Sequence, residues 1–334
     1  MIHSVSNLSL SSISLEYDGF GRVLDITKKI LLFCDPGIDD SIAIMYSILD
    51  PNIELVGIVT SYGNITRDKS TANAAYLVHL AGRSDIPIIP GATKPVQEEH
   101  VTFYPEIHGE EGLGPIDVPR DFRFSIYPFD TIRFIIEKYK NELIIVDTGR
   151  STSLATAFIL YPDQMKMVQS FYVMGGAFFM PGNITALAEA NFYGDPASSN
   201  LVTQFAHNLT ITPLNATQHA ILTQEFVNTI SQNKNNVYAS LIEPIFKYYQ
   251  EFYKKTNPGI RGAPIHDLLT VMVVNNPTLV DYIHYDAKVI EGTTEAKGMS
   301  FVDCRPTNKK GKTKIAIKLH YNEFIKELSN VLLR

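Results

Sequence analysis

The sequence predicts an α/β fold, a mainly parallel sheet with helices on both faces, and two observations carry that expectation. Short apolar runs alternate with amphipathic stretches over the first two thirds of the chain, the pattern of strand, helix, strand, helix. The segments that follow several of the runs are rich in Gly, Asp, Asn, Ser and Thr, as expected where such sheets bind ligands beyond the carboxyl ends of their strands. Taken in order, residues 1–27 form a Ser-rich extension with alternating Leu and Ile and an Asp18-Gly19 turn signal, read as an extra hairpin or a loose arm. The strands are then expected at Lys29 to Phe33, Ile53 to Thr60, Ile86 to Pro90, Leu143 to Asp147, Val168 to Met174 and Leu209 to Thr212. Helices are expected at Ser41 to Leu49, Lys69 to Ala81, Thr131 to Tyr139 and Ser151 to Leu160. Further on, Gln224 to Ser231, Asn236 to Lys255 and His266 to Val274 read as helices. Lys288 to Ile290, Ser300 to Val302 and Lys314 to Leu319 read as a separate β-rich elaboration, and Glu323 to Leu333 as a final helix. No linker or repeat interrupts this, so residues 28–334 are expected to form one catalytic domain.

Composition narrows the function. With 45% hydrophobic and 19% charged residues the 334-residue chain has the balance of a soluble globular protein. A formal net charge of −6 argues against a broad basic surface for nucleic acid or anionic lipid, which leaves a small molecule as the expected partner. Two cysteines, Cys34 and Cys304, are too few for a disulfide framework, and a reducing cytoplasm is expected. No apolar run reaches the ~18 residues of a membrane helix, and the N-terminus lacks the pattern of a signal peptide.

The strongest local signal is Phe33-Cys34-Asp35-Pro36-Gly37-Ile38-Asp39-Asp40, three carboxylates in a turn between an apolar strand and a helix. Carboxylates this close raise one another's pKa unless a cation, protons or donor groups offset the repulsion. Read alone, Asp39 and Asp40 are equally explained as acidic residues favouring the positive end of a helix. An oxygen-only cluster otherwise suits a hard cation such as Ca²⁺ or Mg²⁺.

This loop resembles the DxDxxxDD fingerprint of the inosine-uridine nucleoside hydrolase family. Further landmarks follow in order: Gly63-Asn64, Thr148-Gly149, Met174-Gly175-Gly176, then Asn183, Glu189 and Asn191, and finally His266-Asp267. The similarity runs from about Lys29 to the C-terminus. It implies that Asp35, Asp40, Asp267 and the backbone carbonyl of Thr148 bind one Ca²⁺, with a water and the ribose hydroxyls completing the shell. It also implies cleavage of the N-glycosidic bond of a purine or pyrimidine ribonucleoside by that water, with Asp35 the candidate general base. Asp39, Asn64, Met174, Asn183, Glu189 and Asn191 resemble the substrate-holding set, to which Asp267 belongs as well; an Asn in a loop is otherwise a turn residue. His266 is the candidate donor to the leaving base, with His108, Tyr249 and Tyr253 near the base pocket. A structural histidine and an ordinary aromatic stripe in KYYQEFY are the alternatives for His266 and for the tyrosines. A homodimer or homotetramer is expected.

Three departures stand out. Phe33 replaces the first Asp of the fingerprint, removing a carboxylate that would orient the others. Arg150 introduces a cation beside the expected site, able to pair with an acidic residue or alter substrate choice. The chain has no Trp, so stacking on the base would fall to Phe178 or Phe179. The rivals are a haloacid-dehalogenase-like phosphatase, disfavoured because Gly37 stands where a second Asp is needed, and a nucleoside-binding protein without catalysis.

Overall fold

Apolar residues on both sides of a strand require cover on both faces, and the computed structural model describes such an arrangement for residues 27–97, 100–307 and 311–334. The hairpin or arm expected over residues 1–27 lies, Thr27 apart, outside the described residues. The central strand β1 (Lys28–Cys34) is the clearest case. Ile30, Leu32 and Cys34 enter one hydrophobic core, while Leu31 and Phe33, pointing the other way, enter a second.

Parallel strands continue from β1 in both directions. On one side lie β2 (Ile53–Thr60) and β3 (Ile88–Pro90); on the other lie β4 (Leu143–Asp147), β5 (Ser170–Met174) and β6 (Leu209–Thr212). These six strands are the six expected runs. Helices Ile38–Leu49, Arg67–Leu80, Ala239–Thr256, His266–Asn275 and Tyr321–Leu332 cover the first face. Thr131–Lys138, Thr152–Leu160 and Pro196–Phe205 cover the second.

The C-terminal β-rich region is present but divided. A short pair, β7 (Ile221–Thr223) with β8 (Gly262–Pro264), precedes it, and β10 (Ala287–Val289) pairs with β11 (Ser300–Val302) as a separate antiparallel ribbon. The run at 314–319, expected in that separate group, instead joins the central sheet as β12 (Lys314–Leu319), parallel to β6 and antiparallel to β9 (Val280–His284). Ile315 and Ala316 are fully buried on opposite faces, so β12 extends the two-sided core.

The eight-stranded order is β3-β2-β1-β4-β5-β6-β12-β9. The chain therefore runs outward from β1 to β3, returns to β4 beside β1, and runs outward the other way. The loops beyond β1 and β4 diverge at this reversal and leave a crevice at the carboxyl ends of the strands.

Candidate active site

The crevice is a cleft of about 580 Å³, its open mouth included. Of the fourteen residues expected at the site, all but Asp35 and Asp40 line it, and those two lie buried behind its floor. Asp35 directly follows β1, and Asp39 and Asp40 occupy the first turn of helix Ile38–Leu49. Asp267 occupies the first turn of helix His266–Asn275, which packs against Ile38–Leu49. Two helix N-termini thus converge on one point, and their free N–H groups and dipoles favour carboxylates there.

Carboxylate oxygens of Asp39, Asp40 and Asp267 lie within 4.8 Å of one another. Asp35 is outside this tightest triple, so Asp39, expected on the ribose, stands as close to the cluster as the expected ligands. Burial and the neighbouring carboxylates push Asp35 and Asp267 well above the usual carboxylate range, and Asp40 up to about 7. Donors hold some of the oxygens: Asn64 N–H donates to Asp35 Oδ2 (2.6 Å), Asn64 Nδ2 to Asp40 Oδ2 (3.1 Å) and the Thr148 hydroxyl to Asp40 Oδ1 (2.7 Å). Gly63 permits the first of these, because a methyl group there would overlap the Asp35 carboxylate. Asp35 Oδ1 and Asp39 Oδ1 are buried with no hydrogen-bond partner. Buried orphan acceptors in a carboxylate cluster are what a cation-binding site leaves when donors are not supplied by the protein, and the donor set, oxygen only, fits a hard divalent ion.

The wall beside Thr148 is built from the segment after β5. Glu189 caps helix Ala190–Gly194: Oε1 accepts from Asn191 N–H (2.8 Å), and Oε2 from Gly176 N–H (2.8 Å) and Phe192 N–H (3.1 Å). Asn191 then reaches back, its Nδ2 donating to the Thr148 carbonyl at 2.8 Å and to Met174 O at 3.3 Å. Asn183 Oδ1 accepts from Ala190 N–H (3.0 Å).

On the opposite wall a hydrogen-bonded chain runs from the carboxylates to the histidine. Tyr249 OH donates to Asp39 Oδ2 (3.2 Å) and lies 3.3 Å from Tyr253 OH, which lies 3.3 Å from His266 Nε2; His266 Nδ1 meets the Thr217 hydroxyl at 2.9 Å. Burial lowers the pKa of both His266 and His108. His108 Nδ1 is 3.8 Å from Asp39 Oδ1, but it accepts the Ile38 N–H at 3.0 Å, so the ring is neutral and the contact is no ion pair.

The departures resolve differently. Arg150 forms no ion pair among the described residues; its Nη2 donates to the carbonyls of Gly63 and Thr102. Phe178 is buried in the core of the second face and Phe179 is largely exposed with a left-handed backbone; neither lines the cleft, which corrects the stacking role expected of them. The additional lining residues are Tyr104, Ile107, Ile184 and Ala190, so Tyr104 is the aromatic ring that the sequence reading missed. Its residue type announces no chemistry; its place directly before Pro105, at the first position of helix Pro105–His108, marks only a helix start.

A doubly covered parallel sheet with an acidic switch-point cleft, lined by amides and carboxylates suited to hydroxyl groups, defines an α/β enzyme acting on a small polyhydroxylated substrate. The family model for inosine-uridine preferring nucleoside hydrolases matches residues 30–326. The inosine-uridine preferring nucleoside hydrolase of Crithidia fasciculata is 31% identical over 304 residues, 89% of this chain and 95% of that protein. Uridine nucleosidase 1 of Arabidopsis thaliana is 31% identical over 265 residues, 78% of each chain. A purine-preferring ribonucleoside hydrolase from Gardnerella vaginalis superposes with a TM-score of 0.84 at 26% identity, covering 92% of this chain and 98% of that one. The chain belongs to the inosine-uridine preferring nucleoside hydrolase family, and it is an enzyme that hydrolyses the N-glycosidic bond of ribonucleosides. The phosphatase alternative falls with that assignment.

Proposed function

We propose that this ribonucleoside hydrolase works with Ca²⁺ held by Asp35, Asp40, Asp267 and the Thr148 carbonyl, with Asp35 as general base and His266 as donor to the leaving base. The observation that carries this reading is the buried carboxylate cluster with two orphan oxygens, Asp35 Oδ1 and Asp39 Oδ1. A hard divalent cation bound there supplies charge that polarises water and holds vicinal hydroxyls.

The protein's own groups do the rest. Asp35 is held through Oδ2 by the Asn64 amide, which leaves Oδ1 free to take a proton from water as the oxygen bonds to the anomeric carbon. Asp39, Asn64, Asn183, Glu189 and Asn191, with Asp267 and Met174, grip the ribose. Their carboxylates stabilise the positive charge that develops on the ring as the glycosidic bond breaks. The bonding electrons leave with the base nitrogen, and the departing base takes its proton from the His266-Tyr253-Tyr249 side of the cleft, with His108 on the same wall. Residues 28–334 act as one catalytic unit, assembled as a homodimer or homotetramer in the cytoplasm. Among the described residues no helix is long and apolar enough to cross a membrane. The test is ribose release from a panel of purine and pyrimidine nucleosides, with the enzyme chelated and then reloaded. Activity lost on chelation and restored by Ca²⁺ is expected. Full turnover with metal absent by elemental analysis would overturn the calcium reading.

A further inference from the structure

Arg150 is absent from the proposed chemistry, yet it is 4% exposed, and a buried guanidinium without an acidic partner needs another reason to be there. Its surroundings are built for it. Nη2 donates to the Gly63 carbonyl at 2.8 Å and to the Thr102 carbonyl at 2.6 Å. The guanidinium carbon lies 5.2 Å from the ring centre of Tyr62 and 5.7 Å from that of Tyr104, within cation-π range. Gly194 makes the room, since a methyl group at that position would overlap the Arg150 stem and come within 2.6 Å of Nε.

Each carbonyl it grips is next to a cleft residue. Asn64 follows Gly63, and Tyr104 stands two residues beyond Thr102; Tyr104 N–H in turn donates to Asn64 O at 2.9 Å. Residues 100–104 have no regular secondary structure, so helix and sheet hydrogen bonds do not hold them. We propose that Arg150 is a positioning residue that clamps the Thr102–His108 segment, one wall of the cleft, to the loop carrying Asn64. Two hydrogen bonds from a charged donor make a stronger tie than neutral ones, and the rings of Tyr62 and Tyr104 beside the flat fork help to fix its direction. Without the clamp the wall samples open positions, and apparent affinity falls by the fraction of molecules in which it is closed.

The test combines hydrogen exchange of the free protein with steady-state kinetics on a nucleoside that the wild type hydrolyses. In Arg150→Met, exchange of peptides covering residues 100–108 speeds up while those of β1 do not. KM rises about ten-fold or more, the loss of one to two charged hydrogen bonds, with kcat within about three-fold. Gly194→Ala, which displaces the side chain without changing it, gives the same pattern. The double variant is no worse than the worse single one, because both break one clamp. Arg150→Lys keeps the charge but not the fork, and stays within about three-fold of Arg150→Met in KM. Unchanged exchange over 100–108, additive effects of the two substitutions, or wild-type KM in Arg150→Lys would each overturn the clamp. A variant that loses only thermal stability, with normal KM, would overturn it as well. The change in KM rests on the cleft being the nucleoside site whereas exchange in the free protein does not, so failure of either can be told apart.

Discussion

Glu189→Gln separates the turn-holding duty of this carboxylate from the ribose-binding duty proposed for it. An ionised carboxylate has about four acceptor sites, and three are taken by the amides of Gly176, Asn191 and Phe192, which leaves one, on Oε1, for a substrate hydroxyl. Glutamine has the same shape but a single acceptor atom. With that oxygen in the Oε2 place it keeps Gly176 and Phe192, while its NH₂ group faces the Asn191 N–H. The loss of one charge-assisted bond costs about 1.5–3 kcal/mol, and weakening the other two brings the sum to roughly 2–4 kcal/mol. For a chain of 334 residues that corresponds to a fall in Tm of roughly 3–6 °C. KM should rise about ten-fold, because the remaining acceptor site has become a donor. Thermal denaturation and nucleoside kinetics on the same preparation measure both effects. A Tm within a degree of wild type, with only KM raised, would show that the three backbone bonds do not hold this turn.

Two further substitutions address the chemistry. Asp35→Asn should remain folded and still bind ribose, with kcat lowered at least ~100-fold, the usual size of a general-base contribution; near-normal kcat would remove Asp35 from the mechanism. His266→Ala should slow inosine roughly 10² more than p-nitrophenyl riboside, whose leaving group needs no proton. Equal slowing of the two would instead assign His266 to shaping the pocket or supporting Asp267.

The alternating core was legible because most of the six parallel strands are dominated by apolar runs, such as Ile-Leu-Leu-Phe in β1 and Leu-Ile-Ile-Val in β4, the pattern that burial on both faces demands. Strand β9, Val-Asp-Tyr-Ile-His, was missed because it lies at the sheet edge and mixes polar with apolar side chains. The place of β12 was hidden for another reason. Its parallel partner β6 ends about a hundred residues earlier, and local pattern says nothing about pairing at that separation. In the site, the carboxylates stood out because three fall within six residues, Asp35 to Asp40. Tyr104, Ile107, Ile184 and Ala190 did not, because their residue types announce no chemistry and only the folding of two loops brings them to the cleft. Arg150 was visible as an unexpected cation, but its use of backbone carbonyls in place of an acidic partner is a fact of three-dimensional packing.

Phe33 takes on a different meaning once register is known. As sequence it is a missing carboxylate. In the sheet Phe33 pairs directly with Asp147 on β4, and register partners in neighbouring parallel strands place their side chains on the same face. The face that carries Phe33 therefore carries a carboxylate about 4.8 Å away, the spacing between strands. Asp147 is 2% exposed, and burial pushes its pKa up to about 7 against the opposing pull of the Ser151 hydroxyl and the Gly149 amide. Its negative charge acts on Cys34, next to Asp35, while burial and its own hydrogen bonds set its own pKa. It immediately precedes Thr148, whose hydroxyl holds Asp40 and whose carbonyl receives Asn191. Asp147 thus places a buried carboxylate on the strand that carries the Thr148 loop, register partner of the position where the resemblance implies one on the strand that carries the Asp35 loop. Arg150, the only buried guanidinium among the described residues, donates to backbone carbonyls, so it acts on the cluster by field alone, opposing the rise in the pKa of Asp35. Beside that field, the Asn64 and Thr148 donors and the two helix N-termini, a cation bound at the floor of the cleft would be the further group able to offset the buried carboxylates of Asp35, Asp39, Asp40 and Asp267.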